Sequence, residues 1–331
     1  MSLTTKEVQL KSRPDGTPKA SDFEIVEREI ASPDDGQVLI QNIFMSVDPY
    51  MRGRMRDDFQ LGTVMEGATV GKVVESRHAD FQPGDYVTHW KGWREHYLSD
   101  GKDLSKVDPD LAPLSAYLGV LGFPGLTAYG GLLTTGALQD GESVFVSAAS
   151  GAVGSLVGQI AKIKGCTVVG SAGSDEKVAH LIKEFGFDHA FNYKTADIDA
   201  ELTKALPDGI DVYFENVGGP QLEAALDHMR MHGRIPLCGM ISMYNNGPTI
   251  APGPKNLSAM IYKRVTMKGL VTPDYIGQQA QFRQDVGQWI KEGKVKYQET
   301  IHQGIDNAPQ SFIELFSGGN DGKMLVQLAE Q

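Results

Sequence analysis

The stretch Ser147-Ala148-Ala149-Ser150-Gly151-Ala152-Val153-Gly154 carries the most specific chemistry in this chain. It follows a strand-like apolar run, 144–148. After it, Val153, Leu156, Val157, Ile160 and Ala161 recur at helical spacing, and Gly165 stands as a C-cap. A turn of this kind brings the free amides and partial positive charge of a helix N-terminus to a diphosphate. Gly151 lets the backbone approach phosphate, and Gly154 lets helix and strand pack closely. Ala149 stands where the usual Gly-x-Gly-x-x-Gly has its first glycine. Taken alone, the motif also suits any tight strand–helix turn. Its place between a strand and a helix selects the dinucleotide reading.

The end of the next strand selects the cofactor. A site for NAD usually carries Asp or Glu about 20 residues on, bonded to the ribose hydroxyls. Here that place reads Ser171-Ala172-Gly173-Ser174, without a carboxylate. Small residues leave room for a 2′-phosphate, and Lys177, one helical turn on, supplies positive charge. A lysine at such a position is commonly just solvated. The missing acid and the present lysine agree, so the expected cofactor is NADPH/NADP+.

The elements that must position these residues fall into two patterns. Residues 1–125 read as β-rich, with runs 23–29, 37–47, 70–75 and 85–88 separated by turn chemistry such as Pro33-Asp34-Asp35-Gly36 and Pro83-Gly84-Asp85. That is the pattern of a β-barrel or sandwich. From about Gly125, strands alternate with amphipathic helices. Strand runs at 144–148, 167–172, 190–193, 211–214, 235–238 and 266–270 interleave with helices. Val178, Leu181, Ile182 and Phe185 mark one of these, and Leu222, Ala225, Leu226 and Met229 another. Six such strands predict an α/β fold with a doubly wound, six-stranded parallel sheet of Rossmann type. Phe282, Val286, Trp289 and Ile290 suggest a further helix. The last run, 323–328, is strand-like and is expected to return to the first domain. The boundaries expected are 1–125, 126–290 and 291–331.

Composition narrows the function. The chain has 331 residues, with 31 basic against 42 acidic ones, a formal charge of −11. An acidic chain without a basic run is a poor binder of nucleic acid or of an anionic membrane. The N-terminus lacks an apolar signal segment and no stretch is long and apolar enough to span a bilayer, so a cytoplasmic protein is expected. Two cysteines, Cys166 and Cys238, form neither a disulfide framework nor a metal-ligand pair. His89, His96 and His302 have no spacing that argues for a cluster, and no metal is expected.

Several motifs resemble the zinc-independent medium-chain dehydrogenases/reductases. They are Gly170-Ser171-Ala172-Gly173-Ser174-Asp175-Glu176-Lys177, Phe191-Asn192-Tyr193-Lys194 and Phe214-Glu215-Asn216-Val217-Gly218-Gly219, besides the glycine turn. Val47-Asp48-Pro49-Tyr50-Met51-Arg52-Gly53, Gly233-Arg234-Ile235-Pro236-Leu237-Cys238-Gly239 and Asn320-Asp321-Gly322-Lys323-Met324 fit as well. Within that family the chain is similar to the leukotriene 12-hydroxydehydrogenase/prostaglandin reductase group, with its 2-alkenal (double-bond) and curcumin reductase-like members. The resemblance implies a GroES-like β-barrel catalytic domain formed from both chain ends, a Rossmann domain, NADPH, and a homodimer through the Rossmann domains. It implies that Gly151, Ala152, Val153 and Gly154 hold the pyrophosphate, with Gly173 beside them, and that Lys177 and Tyr193 meet the 2′-phosphate. Asn216, Cys238, Gly239, Ile241, Ser242, Tyr244, Leu270, Val271, Thr272 and Asn320 would line the rest of the cofactor, and Thr127 the nicotinamide. Tyr50 and Tyr262 match tyrosines near the substrate. Zinc alcohol dehydrogenases share the architecture, but their Gly-His-Glu ligand segment is replaced here by Met65-Glu66-Gly67-Ala68.

The reaction implied is NADPH-dependent reduction of the C=C bond of an α,β-unsaturated ketone or aldehyde, a small-molecule enone or enal. Hydride goes to the β-carbon, and charge moves to the carbonyl oxygen, which a neutral tyrosine or a ribose hydroxyl can stabilise without zinc. Tyr262 is the first choice for that donor and Tyr50 the second, although tyrosines are often semi-buried packing residues. A quinone reductase and a non-catalytic NADPH-binding sensor are the alternatives. Asp48 and Arg52 are expected to form a structural ion pair. Met55, Met65 and Met260 either shape an apolar pocket or fill gaps. The segments 244–247 and 252–254 read as loop material over the site or as a plain surface connection.

Overall fold

Strand-then-helix alternation and short-strand β chemistry separate in space as they do in sequence. The computed structural model describes residues 2–247 and 252–331. The chain divides into two units, Met1–Leu118 with Glu299–Gln331, and Gly119–Gln298.

In the first unit, Val38–Ser46 is the central strand. It pairs with Thr69–Ser76, His96–Ser99 and Lys323–Gln327, all antiparallel. It is buried at almost every position because its side chains enter three apolar clusters: Val38 and Ile40 with Val73 and Val87, Ile43 and Phe44 with Leu114 and Leu118, and Met45 in the cluster of Trp93. A strand covered on both faces reads as a largely continuous apolar run rather than an alternating one. Lys323–Gln327 also pairs in parallel with Glu299–Gln303. The last apolar run therefore joins the sheet begun by the N-terminal residues. The result is a seven-stranded mixed sheet, accompanied by a two-stranded ribbon of Ser2–Leu10 and Phe23–Ala31. Trp93, Phe23 and Phe312 meet at ring distances of 6.0–6.2 Å in a core that includes Met45, Met51, Met55 and Met65. Met55 and Met65 are thus gap-filling core side chains, not pocket walls.

The second unit holds six parallel strands: Ser143–Val146, Thr167–Ala172, His189–Asn192, Ile210–Phe214, Met229–Leu237 and Thr266–Gly269. Their spatial order is third, second, first, fourth, fifth, sixth. This is the doubly wound order, with its switch point between the first and fourth strands. Helices Gly154–Ile163, Asp175–Lys183, Ile198–Ala205 and Gly219–His228 make the crossovers. Gly158 and Gly170 are required by packing. A Cβ at Gly158 would lie 2.0 Å from the Phe187 ring, and one at Gly170 2.8 Å from it.

Three expectations need correction, and two helices went unread. The first strand ends at Val146, because Ala148 turns to φ +48. Met229 opens a strand rather than closing a helix. That strand is irregular between its pairings with Ile210 and Val212, and His232 inside it sits at φ +63. Helices Phe123–Gly130 and Ile198–Ala205 were not legible from periodicity. The unit boundaries fall at 118/119 and 298/299, not at 125/126 and 290/291. Gly125 packs on Phe282, and the backbone of Lys296 is held by the Gln159 side chain, so both flanking segments belong to the second unit.

Candidate functional site

The end of the first strand of the parallel sheet turns sharply. Ala148 sits in the left-handed region at φ +48, a conformation that costs an L-residue about 1 kcal/mol. Gly151 donates its N–H to the Ala148 carbonyl at 3.0 Å, and the helix begins at Gly154. A Cβ at Gly154 would stand 2.5 Å from the Ala148 oxygen, so only glycine fits there. At Gly151 an added Cβ would meet only that same oxygen, at 3.2 Å. The glycine turn therefore has one crowded and one open glycine. The open one keeps backbone amides accessible beside Ala152 and Val153.

At the end of the second strand, Ser174 caps helix Asp175–Lys183 by accepting from the Lys177 N–H at 3.3 Å. Gly173 lies against Tyr193: an added Cβ would be 3.4 Å from the Tyr193 hydroxyl and 3.4 Å from Lys194 Cε. Lys177 is on the first turn of the helix and Tyr193 at the end of the third strand, so the two strand ends present both. Lys194 joins them and was not singled out by sequence. Its only signal was its place beside Tyr193.

The end of the fourth strand carries Asn216. Its side chain donates to the Ser147 carbonyl at 2.8 Å, and its N–H to Ser147 Oγ at 2.9 Å. Cys238 and Gly239 donate their N–H groups to the Glu215 carbonyl at 2.9 and 3.1 Å. Ile241 N–H reaches the Asn216 carbonyl at 3.2 Å, and Ser242 Oγ donates to the Val217 carbonyl at 2.6 Å. The Tyr244 hydroxyl accepts from Met240 N–H at 3.3 Å and crowds Gly239, where an added Cβ would be 3.1 Å from it. The 216–218 and 238–244 loops are thus one hydrogen-bonded body. Residues 248–251, between the two loop segments singled out by sequence, lie outside the described residues.

Thr127 and Thr272 are buried and share a hydrogen bond of 2.5 Å, with Thr127 Oγ1 also donating to the Phe123 carbonyl at 2.8 Å. Leu270 is buried beside them in sequence, and Val271 is exposed. Tyr262 is 76% exposed on the short helix Ala259–Lys263, and Met260 on the same helix packs against the core of the second unit.

The first unit positions Tyr50 and Asn320. Asn320 donates to the Gly322 carbonyl at 2.7 Å. Tyr50 opens the short helix Met51–Arg54 and is 37% exposed. Burial of its phenol first, and Asp48 second, push its pKa above the ordinary tyrosine range, so the hydroxyl stays protonated and can donate. The expected Asp48–Arg52 ion pair is not formed. Asp48 instead pairs with Lys323 at 3.1 Å and accepts from Ser46 Oγ. The Arg52 guanidinium binds the Pro14 and Gly16 carbonyls at 3.1 and 2.9 Å. Lys323 comes from the far end of the chain, which no local pattern could indicate.

Glu66 in the 65–68 segment is occupied by Lys91 and Arg54. His89 is buried, stacked on Tyr97, and driven down to about 3 by burial. His96 bonds Thr5 and His302 bonds Ser311. Among the described residues no three His, Cys, Asp or Glu side chains group as a metal site. Also among them, no helix is long and apolar enough to cross a membrane.

The Cys238 thiol is pushed up to about 12, by burial first and by Glu215 second. At pH 8 it is a thiol, not a thiolate. Alkylation by iodoacetamide in the native protein is expected to be about a thousandfold slower than for a free cysteine. Peptide mass mapping before and after denaturation checks this, and stoichiometric native labelling would contradict it.

Comparison with known proteins agrees with this geometry. A family model described as the N-terminal domain of oxidoreductase matches residues 6–107, and one described as zinc-binding dehydrogenase matches residues 152–292. The NADPH-dependent curcumin reductase of Escherichia coli (strain K12) is 44% identical over 97% of this chain and 96% of its own. The NADP(+)-dependent 2-alkenal reductase of Nicotiana tabacum is 46% identical over 99% of each chain. The crystal structure of CurA from Vibrio vulnificus in complex with NADPH superposes with a TM-score of 0.94 at 40% identity, covering 98% of this chain and 100% of that one. A doubly wound sheet with a glycine turn on its first strand, together with a mixed-sheet unit completed by the last strand, defines a medium-chain dehydrogenase/reductase. The chain belongs to that family, in the group of curcumin, 2-alkenal and prostaglandin reductases.

Proposed function

We propose that this protein reduces the C=C bond of α,β-unsaturated ketones and aldehydes with NADPH. The observation that carries the reading is likeness along nearly the full chain to an NADPH-dependent curcumin reductase and an NADP(+)-dependent 2-alkenal reductase. Curcumin and 2-alkenals share one reactive group, a C=C bond conjugated to a carbonyl.

The residues present fit the cofactor. Ala152, Val153 and Gly154 offer amides at a helix N-terminus for the pyrophosphate, and Gly151, without a side chain, lets the phosphate approach the turn. Lys177 and Tyr193, with Lys194, surround a carboxylate-free strand end suited to a 2′-phosphate. Asn216, Cys238, Gly239, Ile241, Ser242 and Tyr244 form the wall for the remainder, with Leu270 and Val271 as further contacts. The Thr127–Thr272 hydroxyl pair serves the nicotinamide end. When bound, NADPH supplies the hydride to the β-carbon.

The protein's own contribution is orientation and stabilisation of charge on the carbonyl oxygen. Tyr262, with an accessible phenol, is the first choice for that donor. Tyr50, whose hydroxyl stays protonated, is the second. A zinc-independent chemistry is part of this reading, supported by Glu66, which Lys91 and Arg54 engage in the segment where zinc relatives place ligands. Tyr262→Phe is expected to lower kcat by about a hundredfold, within the usual range for losing an oxyanion donor, with NADPH affinity changed less than twofold. Steady-state kinetics checks it. Unchanged turnover would move the role to Tyr50 or to the ribose hydroxyl.

A cytoplasmic homodimer through the Rossmann sheet belongs to the same reading. Thr266–Gly269 is an edge strand; Met231, on the strand paired with it, and Ile261, on the short helix before it, are 54% and 75% exposed. Such an edge and apolar surround favour pairing with a second copy. Light scattering should give twice the chain mass, reduced to one by Ile261→Glu; a monomeric wild type would refute it.

The decisive experiment for the activity compares NADPH oxidation with trans-2-alkenals, enones and simple quinones. Faster turnover of quinones would replace the present reading with a quinone reductase. Cofactor binding without turnover of any of them would leave a sensor.

A further inference from the structure

The face of the parallel sheet covered by helix Gly219–His228 is apolar along most of its depth. Phe145, Val169, Phe191 and Tyr213 pack there with Leu222, Ala225 and Leu226. At the carboxyl ends of the strands this layer turns polar, although it stays buried: Ser147, Ser171, Glu215 and Gln221 are all shielded from solvent. Ser171 Oγ donates to Gln221 Oε1 at 2.5 Å.

Glu215 is the centre of this polar layer. One of its carboxyl oxygens, Oε1, accepts from Ser147 Oγ at 2.9 Å, from Val217 N–H at 2.5 Å and from Gly218 N–H at 2.9 Å. The donors come from two separate strand ends. Ser147 in turn receives Asn216: its Oγ accepts the Asn216 N–H, and its carbonyl accepts the Asn216 side chain. Gly218 sits at φ +75, so the turn after Glu215 bends back over the carboxyl group. A buried acid in an otherwise apolar strand is costly. Burial accordingly pushes its pKa above the usual carboxyl range. A hydrophobic residue would pack there more cheaply, but it would release three donors.

We infer that Glu215 is a positioning residue for the cofactor. With Ser147 it clamps the 216–218 turn to the end of the first strand. Through that turn's carbonyls, which hold Ile241 and Ser242, it fixes the loop wall built from residues 238–244. The assignment rests on the NADPH reading above. Neither Glu215 nor Ser147 needs to touch the dinucleotide. What they fix is the position of Asn216 and of the loop bonded to it.

The test uses the purified full chain and NADPH itself, with binding followed by nicotinamide fluorescence and turnover followed with an enal. Ser147→Ala and Glu215→Ala should raise the NADPH Kd by about tenfold, the size expected for losing a hydrogen bond to a charged group. The KM for NADPH should rise in step, while kcat falls less than threefold. Glu215→Gln keeps a carbonyl oxygen in the place of Oε1 and should bind NADPH within threefold of the wild type. That rescue separates the clamp from mere occupancy of space. If Glu215→Ala does not fold, Ser147→Ala and Glu215→Gln carry the comparison. Ser147→Ala binding NADPH within twofold of the wild type would overturn the inference. A wild type that binds no NADPH would instead sink the cofactor reading itself.

Discussion

Lys177→Ala is expected to raise the KM for NADPH by about thirtyfold while changing that for NADH by less than twofold. The argument is one of differential charge. The two cofactors differ only in the 2′-phosphate, so a residue that serves only that group shows itself only in the phosphorylated form. Lys177 lies on the first turn of helix Asp175–Lys183, one turn past the Gly173-Ser174 strand end, where an NAD site would carry a carboxylate. Tyr193 and Lys194 border the same strand end. Lys194→Ala should therefore show the same sign with a smaller effect, and both effects should shrink as ionic strength rises. Initial-rate kinetics with both cofactors at two salt concentrations checks all three statements. Equal losses with NADPH and NADH would show that Lys177 supports the helix and not the phosphate.

Lys323→Met should destabilise the first unit by about 3 kcal/mol, at the low end of the cost of leaving one member of a buried ion pair alone. The Lys323 side chain is only 5% exposed. Its ammonium pairs with Asp48 at 3.1 Å and donates to the Val47 and Met324 carbonyls at 3.0 and 2.8 Å. Removing it strands the Asp48 carboxylate and two carbonyls. Because Asp48 lies two residues before Tyr50, activity should fall together with stability. A decrease in Tm of roughly 6–10 °C is expected by calorimetry. The double change Asp48→Asn with Lys323→Met removes both charges and should recover at least half of the loss. A single variant as stable as the wild type would show that the pair contributes nothing to the loop that carries Tyr50.

These two lysines illustrate what was legible in the sequence and what was not. Lys177 could be singled out from its surroundings: a strand, small residues, a missing acid and a cation one turn later all lie within ten residues. Lys323 could be placed in a motif, but not given a partner. Asp48 is 275 positions away, and the local expectation of an Asp48–Arg52 pair proved wrong. The Arg52 guanidinium found backbone carbonyls at Pro14 and Gly16 instead. The same holds for Thr127 and Thr272, whose hydroxyls meet across 145 positions. It holds too for Ser147 and Glu215, where the only visible sign was an acid closing an apolar strand run. The helices Phe123–Gly130 and Ile198–Ala205 escaped notice for a related reason. The first is rich in glycine and buried on nearly all sides, so it shows no amphipathic period, and the second is short.

By itself, then, the sequence determined the six alternating strands, the glycine turn and the cofactor preference. Each depends on side-chain period, backbone sterics or charge within a few residues, and such effects act before the chain has folded. Only the tertiary structure decided which residues hold those parts in place: Lys323 under the loop of Tyr50, Glu215 and Ser147 behind Asn216, and Thr272 against Thr127. Their partners are defined by burial. A buried polar group must find a donor or acceptor wherever the packed chain happens to bring one, and distance along the sequence places no limit on where that is.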